Sequence, residues 1–100
     1  MNAWVYILHC ADGSYYTGSH RGAEIETRVH QHQVAEGGEY TRRRLPVCLV
    51  WCQHFINITD AIAAERQIKG WSRKKKQALI AEDWDGSQLL SKRRGGGVNK

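Results

Sequence analysis

Two short runs of branched and aromatic residues, Ala3-Trp4-Val5-Tyr6-Ile7-Leu8-His9 and Tyr15-Tyr16-Thr17-Gly18, stand on either side of Ala11-Asp12-Gly13-Ser14. Such side chains suit a pleated strand and Asp-Gly is turn chemistry, so residues 3–19 read as a β-hairpin. Register decides what the hairpin presents. A two-residue loop at Asp12-Gly13 pairs His9 with Tyr16 and sends Tyr6 and Tyr16 to opposite faces. A three-residue loop, Ala11-Asp12-Gly13, with Gly13 left-handed, pairs Leu8 with Tyr16 and makes the two tyrosines diagonal neighbours on one face. Glycine at the third loop position favours the second arrangement.

Helical spacing follows over 24–36, where Ile25 and Val29 are four apart on one face, and Gly37-Gly38 is expected to end that helix. Tyr40-Thr41-Arg42-Arg43-Arg44 reads as a basic loop. Val47–Phe55 reads as a third strand, apolar enough to be central in the sheet. Asn57 or Thr59 can cap a second helix, about 60–70, which Gly70 interrupts. Ser72 then caps a third, about 73–82. The expected fold is α+β: a three-stranded mixed or antiparallel sheet opened by a hairpin and flanked by three helices, in the order β-β-α-β-α-α. Residues 1–82 form the domain, and 83–100 read as a basic, glycine-rich, flexible tail.

At 100 residues the chain is expected to be one domain. It has no apolar run long enough to span a membrane and no signal-peptide pattern at its start, so a cytoplasmic protein is expected. Cys10, Cys48 and Cys52 make no disulfide framework. Cys48 and Cys52 fall on one strand roughly 13 Å apart, whereas bridged Cα atoms lie within about 7 Å. All three read as small buried hydrophobes. The net charge of +5 is concentrated: residues 40–76 carry nine Lys/Arg (Arg42, Arg43, Arg44, Arg66, Lys69, Arg73, Lys74, Lys75 and Lys76) against Asp60 and Glu65. That excess suits a polyanion such as nucleic acid, although a charge run alone more often reads as a solvated surface.

The residues able to do chemistry each have an ordinary alternative. Two tyrosines on one sheet face are commonly core packing. On the first helix, Arg28 and His32 fall on the same side as Ile25 and Val29 and so face the sheet. An Arg is rarely buried without a partner, so an Arg and a His four apart on an apolar face suggest an anion site; the alternative is an Arg that reaches past the helix edge to solvent. His30 points the other way. Glu65 borders an apolar face of Ala61, Ala64 and Ile68, either as a surface ion-pair partner or as a metal ligand; magnesium needs only one or two carboxylates beside waters and phosphates.

The ordered set does have a counterpart. Tyr6, then Tyr16-x-Gly18 ten residues on, then Arg28-x-x-x-His32, then Glu65 after a third strand resembles the GIY-YIG nuclease superfamily, in its small single-domain bacterial branch. Trp4-Val5-Tyr6 stands for Gly-Ile-Tyr and Tyr16-Thr17-Gly18 for Tyr-Ile-Gly. Tyr40-Thr41-Arg42 and Ala61-x-x-x-Glu65-x-x-x-Lys69-x-x-x-Arg73 resemble that branch too. The resemblance implies a metal-dependent endonuclease that leaves a 5′-phosphate and a 3′-hydroxyl, on DNA more readily than RNA. Tyr6 would activate the attacking water as base or relay, Tyr16 would hold the nucleophile or phosphate, Arg28 would neutralise transition-state charge, and His32 would hydrogen-bond or relay protons. Glu65 would hold one Mg²⁺ or Mn²⁺, and Gly18 would allow a close backbone approach. The metal, Arg28 and the basic surface would lower the Tyr6 pKa. Arg42, Arg43, Arg44, Lys69, Arg73, Lys74, Lys75 and Lys76 would contact nucleic acid. A monomer is expected. The rival reading is a non-catalytic nucleic-acid-binding module.

Overall fold

The computed structural model describes residues 2–85. Strands β1 (Ala3–Cys10) and β2 (Tyr15–Arg21) are followed by helix α1 (Ile25–Gln33), the one-turn helix α2 (Glu39–Arg42), β3 (Val47–Phe55), α3 (Ile58–Lys69) and α4 (Arg73–Asp85). The strands form one antiparallel sheet in the order β2-β1-β3. This is the α+β arrangement that the sequence implies, with one added turn, α2, where a basic loop is expected. Among the described residues, those from 2 to 70 form one compact unit and those from 71 to 85 belong to a second. In the second, the Ser72 hydroxyl accepts the Lys75 N–H at 3.2 Å and so caps α4. That helix runs to Asp85, three residues past the expected end at 82. The rest of the expected tail, 86–100, lies outside the described residues.

The hairpin takes the three-residue loop. Leu8 pairs with Tyr16 and Tyr6 with Gly18, and Gly13 supplies the positive φ, +88°, that the loop requires. Tyr6 and Tyr16 therefore share a face, their ring centroids 6.3 Å apart.

The central strand is β1, which corrects the expectation for Val47–Phe55. Ala3, Val5, Tyr6, Ile7, Leu8 and Cys10 are all buried, so β1 is covered on both faces, whereas β3 ends in the exposed Gln53 and His54 and lies at the edge. A bulge also breaks β3. Trp51 pairs with Ile7 but Leu49 with Leu8, so Val50 is an extra residue between them. The bulge inverts the alternation. Leu49 and Cys52 join the face of Tyr6, Leu8 and Cys10, while Trp51 shares the face of Ile7. Cys48, opposite the exposed His9, is exposed rather than buried as expected, and Cys52 is half-buried; only Cys10 is a core residue.

The face of Tyr6, Leu8 and Cys10 is covered by Ile25 and Val29 of α1, with Val47 and Leu45. Helix α1 stops at Gln33, earlier than expected, and the stop is not Gly37-Gly38. Glu36 N–H bonds to the Gln31 carbonyl and Ala35 N–H to that of His32, with Ala35 at φ +67°. This is a Schellman ending with alanine in the left-handed position where glycine is usual. Helix α3 packs on β1 and β2 and buries Ala61 and Ile68. Its cap is Asn57, whose side chain accepts the Asp60 N–H at 2.8 Å and donates to the Asp60 carboxylate at 3.1 Å.

Candidate active site

Hairpin register and helix periodicity bring four sequence-predicted residues together between sheet and α1. Tyr6 Oη lies 2.8 Å from His32 Nε2 and accepts the Arg28 Nε–H at 3.2 Å. Arg28 is held in turn, donating to the Gln31 side-chain carbonyl at 3.0 Å and the Gly37 carbonyl at 3.4 Å. The Tyr16 ring stands 5.3 Å from that of His32. Tyr6 and His32 are completely covered, while Arg28 and Tyr16 are half-buried and form the accessible rim of the cluster. His30 is exposed.

Two groups that the residue pattern did not single out for the site join it. Thr41 of α2 is buried, and its Oγ1 lies 2.7 Å from His32 Nδ1. Gly37 passes so close to the imidazole that a Cβ there would collide with Nδ1. Gly18 does the same for Tyr6: a Cβ would sit 2.6 Å from the phenol oxygen. Both glycines are gaps that the two rings fill. Tyr40 stacks beside Tyr16 at 5.7 Å and carries the Arg44 guanidinium on its ring at 3.8 Å.

Burial sets the electrostatics. It pushes the Tyr6 phenol up to about 12, against the hydrogen bond and charge of Arg28; Tyr16 and Glu65 add smaller upward pushes. The expected lowering counted on a metal as well as Arg28; in the free protein desolvation outweighs Arg28. Burial, then the Arg28 charge, push His32 down to about 4. Both rings are therefore neutral at pH 7. His20 is also held below its ordinary value, by burial and then by Arg28, which places it near the same guanidinium.

Glu65 lies on α3 with a side chain only 16% exposed, bonded to Lys69 Nζ at 3.0 Å. Its charge acts on Tyr6, and Tyr16 acts on its partner Lys69, so the pair lies within electrostatic reach of the two phenols. No group of three or more His, Cys, Asp or Glu able to hold a metal occurs among the described residues. One shielded carboxylate fits a hard cation that completes its shell with water and phosphate, not a structural zinc.

The expected nucleic-acid contacts divide. Arg42 and Arg43 both bond Glu39, at 2.9 and 2.6 Å, and Arg44 bonds Asp12 at 3.0 Å. These pairs are exposed and individually weak, so a phosphate can exchange for the carboxylate at little cost. Lys69 is paired with Glu65. Arg73, Lys74, Lys75 and Lys76 lie on the first turns of α4 in the second unit, Lys75 over the Trp71 ring at 4.4 Å. No described helix is long and apolar enough to cross a membrane.

The three-stranded α+β domain has known counterparts. The family model of the GIY-YIG catalytic domain matches residues 2–78, and the chain belongs to that family. A UPF0213 protein of Haloquadratum walsbyi is 42% identical over 85 residues, spanning 85% of this chain and 93% of that protein. A UPF0213 protein of Streptococcus pneumoniae is 37% identical over 87 residues, spanning 87% and 86%. Among solved structures, the solution structure of a UPF0213 protein from Bacillus halodurans matches with a TM-score of 0.53 and 38% identity, covering 87% of this chain and 88% of that one.

Proposed function

We propose that the protein is a metal-dependent endonuclease that hydrolyses phosphodiester bonds in nucleic acid, DNA in preference to RNA, leaving a 5′-phosphate and a 3′-hydroxyl. The observation that carries the reading is the Tyr6 oxygen, which receives Arg28 at 3.2 Å and meets His32 at 2.8 Å in a dry setting. Packing alone asks for no such convergence of a guanidinium and an imidazole on one buried phenol, and a binding module has no use for it.

In this reading the phosphate approaches along the rim of Arg28 and Tyr16. Arg28 balances charge that grows on the phosphoryl oxygens. Tyr16 holds the attacking water or the phosphate. Once substrate binding parts the Arg28–Tyr16 rim that covers it, Tyr6 takes the water's proton and His32 takes the phenol's. With a pKa of about 12, the phenol is ionised in only roughly one molecule in 10⁵ at pH 7. A neutral phenol is a weak acceptor of the water's proton, so positive charge near the phosphate and the phenol would ease the transfer. A divalent cation, Mg²⁺ or Mn²⁺, held by Glu65 supplies that charge when bound, polarising the phosphate and favouring the phenolate. Lys69, Arg42, Arg43 and Arg44 hold the flanking backbone.

The test is cleavage of labelled single-stranded, duplex and branched DNA and RNA with Mg²⁺, Mn²⁺ or chelator, with Glu65→Ala and Tyr6→Phe alongside. Metal-dependent cutting lost in both variants is expected. Equal binding by all three proteins with no cutting would leave the binding module in its place.

A further inference from the structure

The hydrogen bond between Tyr6 and His32 has a direction, and the atoms around it decide which. A neutral imidazole carries one proton, on Nδ1 or on Nε2. His32 is fully enclosed, with Tyr6 Oη at 2.8 Å from Nε2 and Thr41 Oγ1 at 2.7 Å from Nδ1. Arg28 can only donate to the Tyr6 oxygen. Among the described partners, Nε2 is then the acceptor for the buried phenol proton. Nδ1 must hold the imidazole proton and give it to Thr41 Oγ1, and the Thr41 hydroxyl is aimed at the Gly38 carbonyl, 3.5 Å away. In the reverse arrangement Nε2–H would point at an oxygen already receiving Arg28, and the phenol proton would have no partner in a dry site.

We propose that Thr41 is a positioning residue of the active site: its hydroxyl oxygen accepts the Nδ1–H of His32, fixes that tautomer, and keeps the Nε2 lone pair on the Tyr6 hydroxyl. The chain Gly38 carbonyl, Thr41, His32, Tyr6 is a relay with one orientation. Its functional consequence rests on the nuclease reading. As water attacks phosphorus, its O–H bond breaks and the proton passes to Tyr6 Oη; the Tyr6 O–H bond breaks and that proton passes to Nε2; the bond from phosphorus to the 3′ oxygen breaks, and the leaving oxygen is protonated from solvent. His32 becomes an imidazolium that donates from both nitrogens, so Thr41 accepts before and after the transfer and need not turn. The one-turn helix α2 carries Thr41 to this point, and the bare backbone of Gly37 lets the ring lie against it.

The experiment reads the ring directly. Long-range ¹⁵N–¹H correlation spectra at pH 7 would be recorded on the whole protein, on Thr41→Ser and on Thr41→Val. The pattern of the Nδ1–H tautomer is expected for His32 in the wild type and in Thr41→Ser, and a shift toward Nε2–H in Thr41→Val. In cleavage assays Thr41→Val should lose at least about tenfold in kcat with KM unchanged, and Thr41→Ser should keep most of the rate. An Nε2–H pattern in the wild type overturns the proposal, and it needs no variant to fold. So does a Thr41→Val protein with wild-type tautomer and rate. If the wild type cuts no substrate, the nuclease reading fails, and the spectra still decide the tautomer.

Discussion

The Tyr6 phenol oxygen and the His32 Nε2 atom, 26 residues apart in sequence, meet 2.8 Å apart with both side chains wholly out of contact with solvent. Two titratable groups in such a place favour their neutral forms, and this ties the fold to pH from both ends.

At the acid end, folding holds His32 at about 4 against an ordinary 6.5. Between those values the unfolded chain binds a proton that the folded chain refuses. The contribution is complete above pH 6.5 and is lost as pH falls toward 4, roughly 3 kcal/mol in all. Asp12 and Glu39, held below the usual carboxylate range by their hydrogen-bond partners, act mainly below that window. Urea denaturation at several pH values should show this slope in the wild type and a flatter one in His32→Gln. Parallel profiles would mean that His32 is not buried as described.

At the alkaline end, one of the four tyrosines should titrate late, near the value of about 12 set by burial of Tyr6. For an acid whose folded pKa is raised, stability is complete below the unfolded value near 10 and is lost as pH rises toward 12. Tyrosinate absorbance should show the late step in the wild type and lose it in Tyr6→Phe. Arg28→Met should push it later still, since the Arg28 hydrogen bond and charge oppose the rise. A late step that survives Tyr6→Phe would assign it to another phenol.

The two glycine gaps make a steric prediction. Gly18→Ala places a methyl 2.6 Å from Tyr6 Oη, and Gly37→Ala drives one into His32 Nδ1. Neither ring can retreat without breaking the network, so each variant should lose about 1–3 kcal/mol and most of its cleavage rate. Gly70→Ala, whose nearest atom would be at 3.6 Å, is the control and should stay near wild type by thermal melting. Equal behaviour of all three would show that the gaps are not needed.

The placement of this cluster was legible because it depends on two short-range rules. Gly13 fixed the hairpin register, which put Tyr6 and Tyr16 on one face; a period of 3.6 put Arg28 and His32 on the face of Ile25 and Val29. The missed features depend on longer-range facts. The β3 bulge at Val50 flips strand parity with no local marker, so the apolar run Val47–Trp51 misled on both strand position and the burial of Cys48. The left-handed Ala35 hides the helix end, because glycine was the expected signal and the real glycines, Gly37 and Gly38, follow just after. Gly37 was read as a stop when it is the wall of the His32 pocket. Thr41 is one polar residue among arginines until α2 folds it under the imidazole. The direction of the Tyr6 shift turned on burial, which residue spacing does not measure.

Glu65 and Lys69 supply the last prediction. They form an i,i+4 pair at 3.0 Å whose carboxylate is mostly shielded while the lysine is 55% exposed, and Glu65 holds the Lys69 pKa above its ordinary value. A pair with one solvated end contributes little to folding, so Glu65→Gln should melt within about 1 kcal/mol of wild type. If the carboxylate holds the cation, the same change should remove metal-dependent cleavage. Lys69→Met separates the two roles open to the lysine. As the ammonium that now neutralises Glu65, its loss should lower the Mg²⁺ concentration needed for half-maximal activity at saturating DNA. As a phosphate contact, its loss should raise KM for DNA and flatten its salt dependence. Both shifts are expected together, because the ammonium must leave the carboxylate for the cation and can then turn to the phosphate backbone. A metal requirement that is unchanged in both variants would show that Glu65 is a surface ion-pair partner, and the cation would have to be sought elsewhere in the chain.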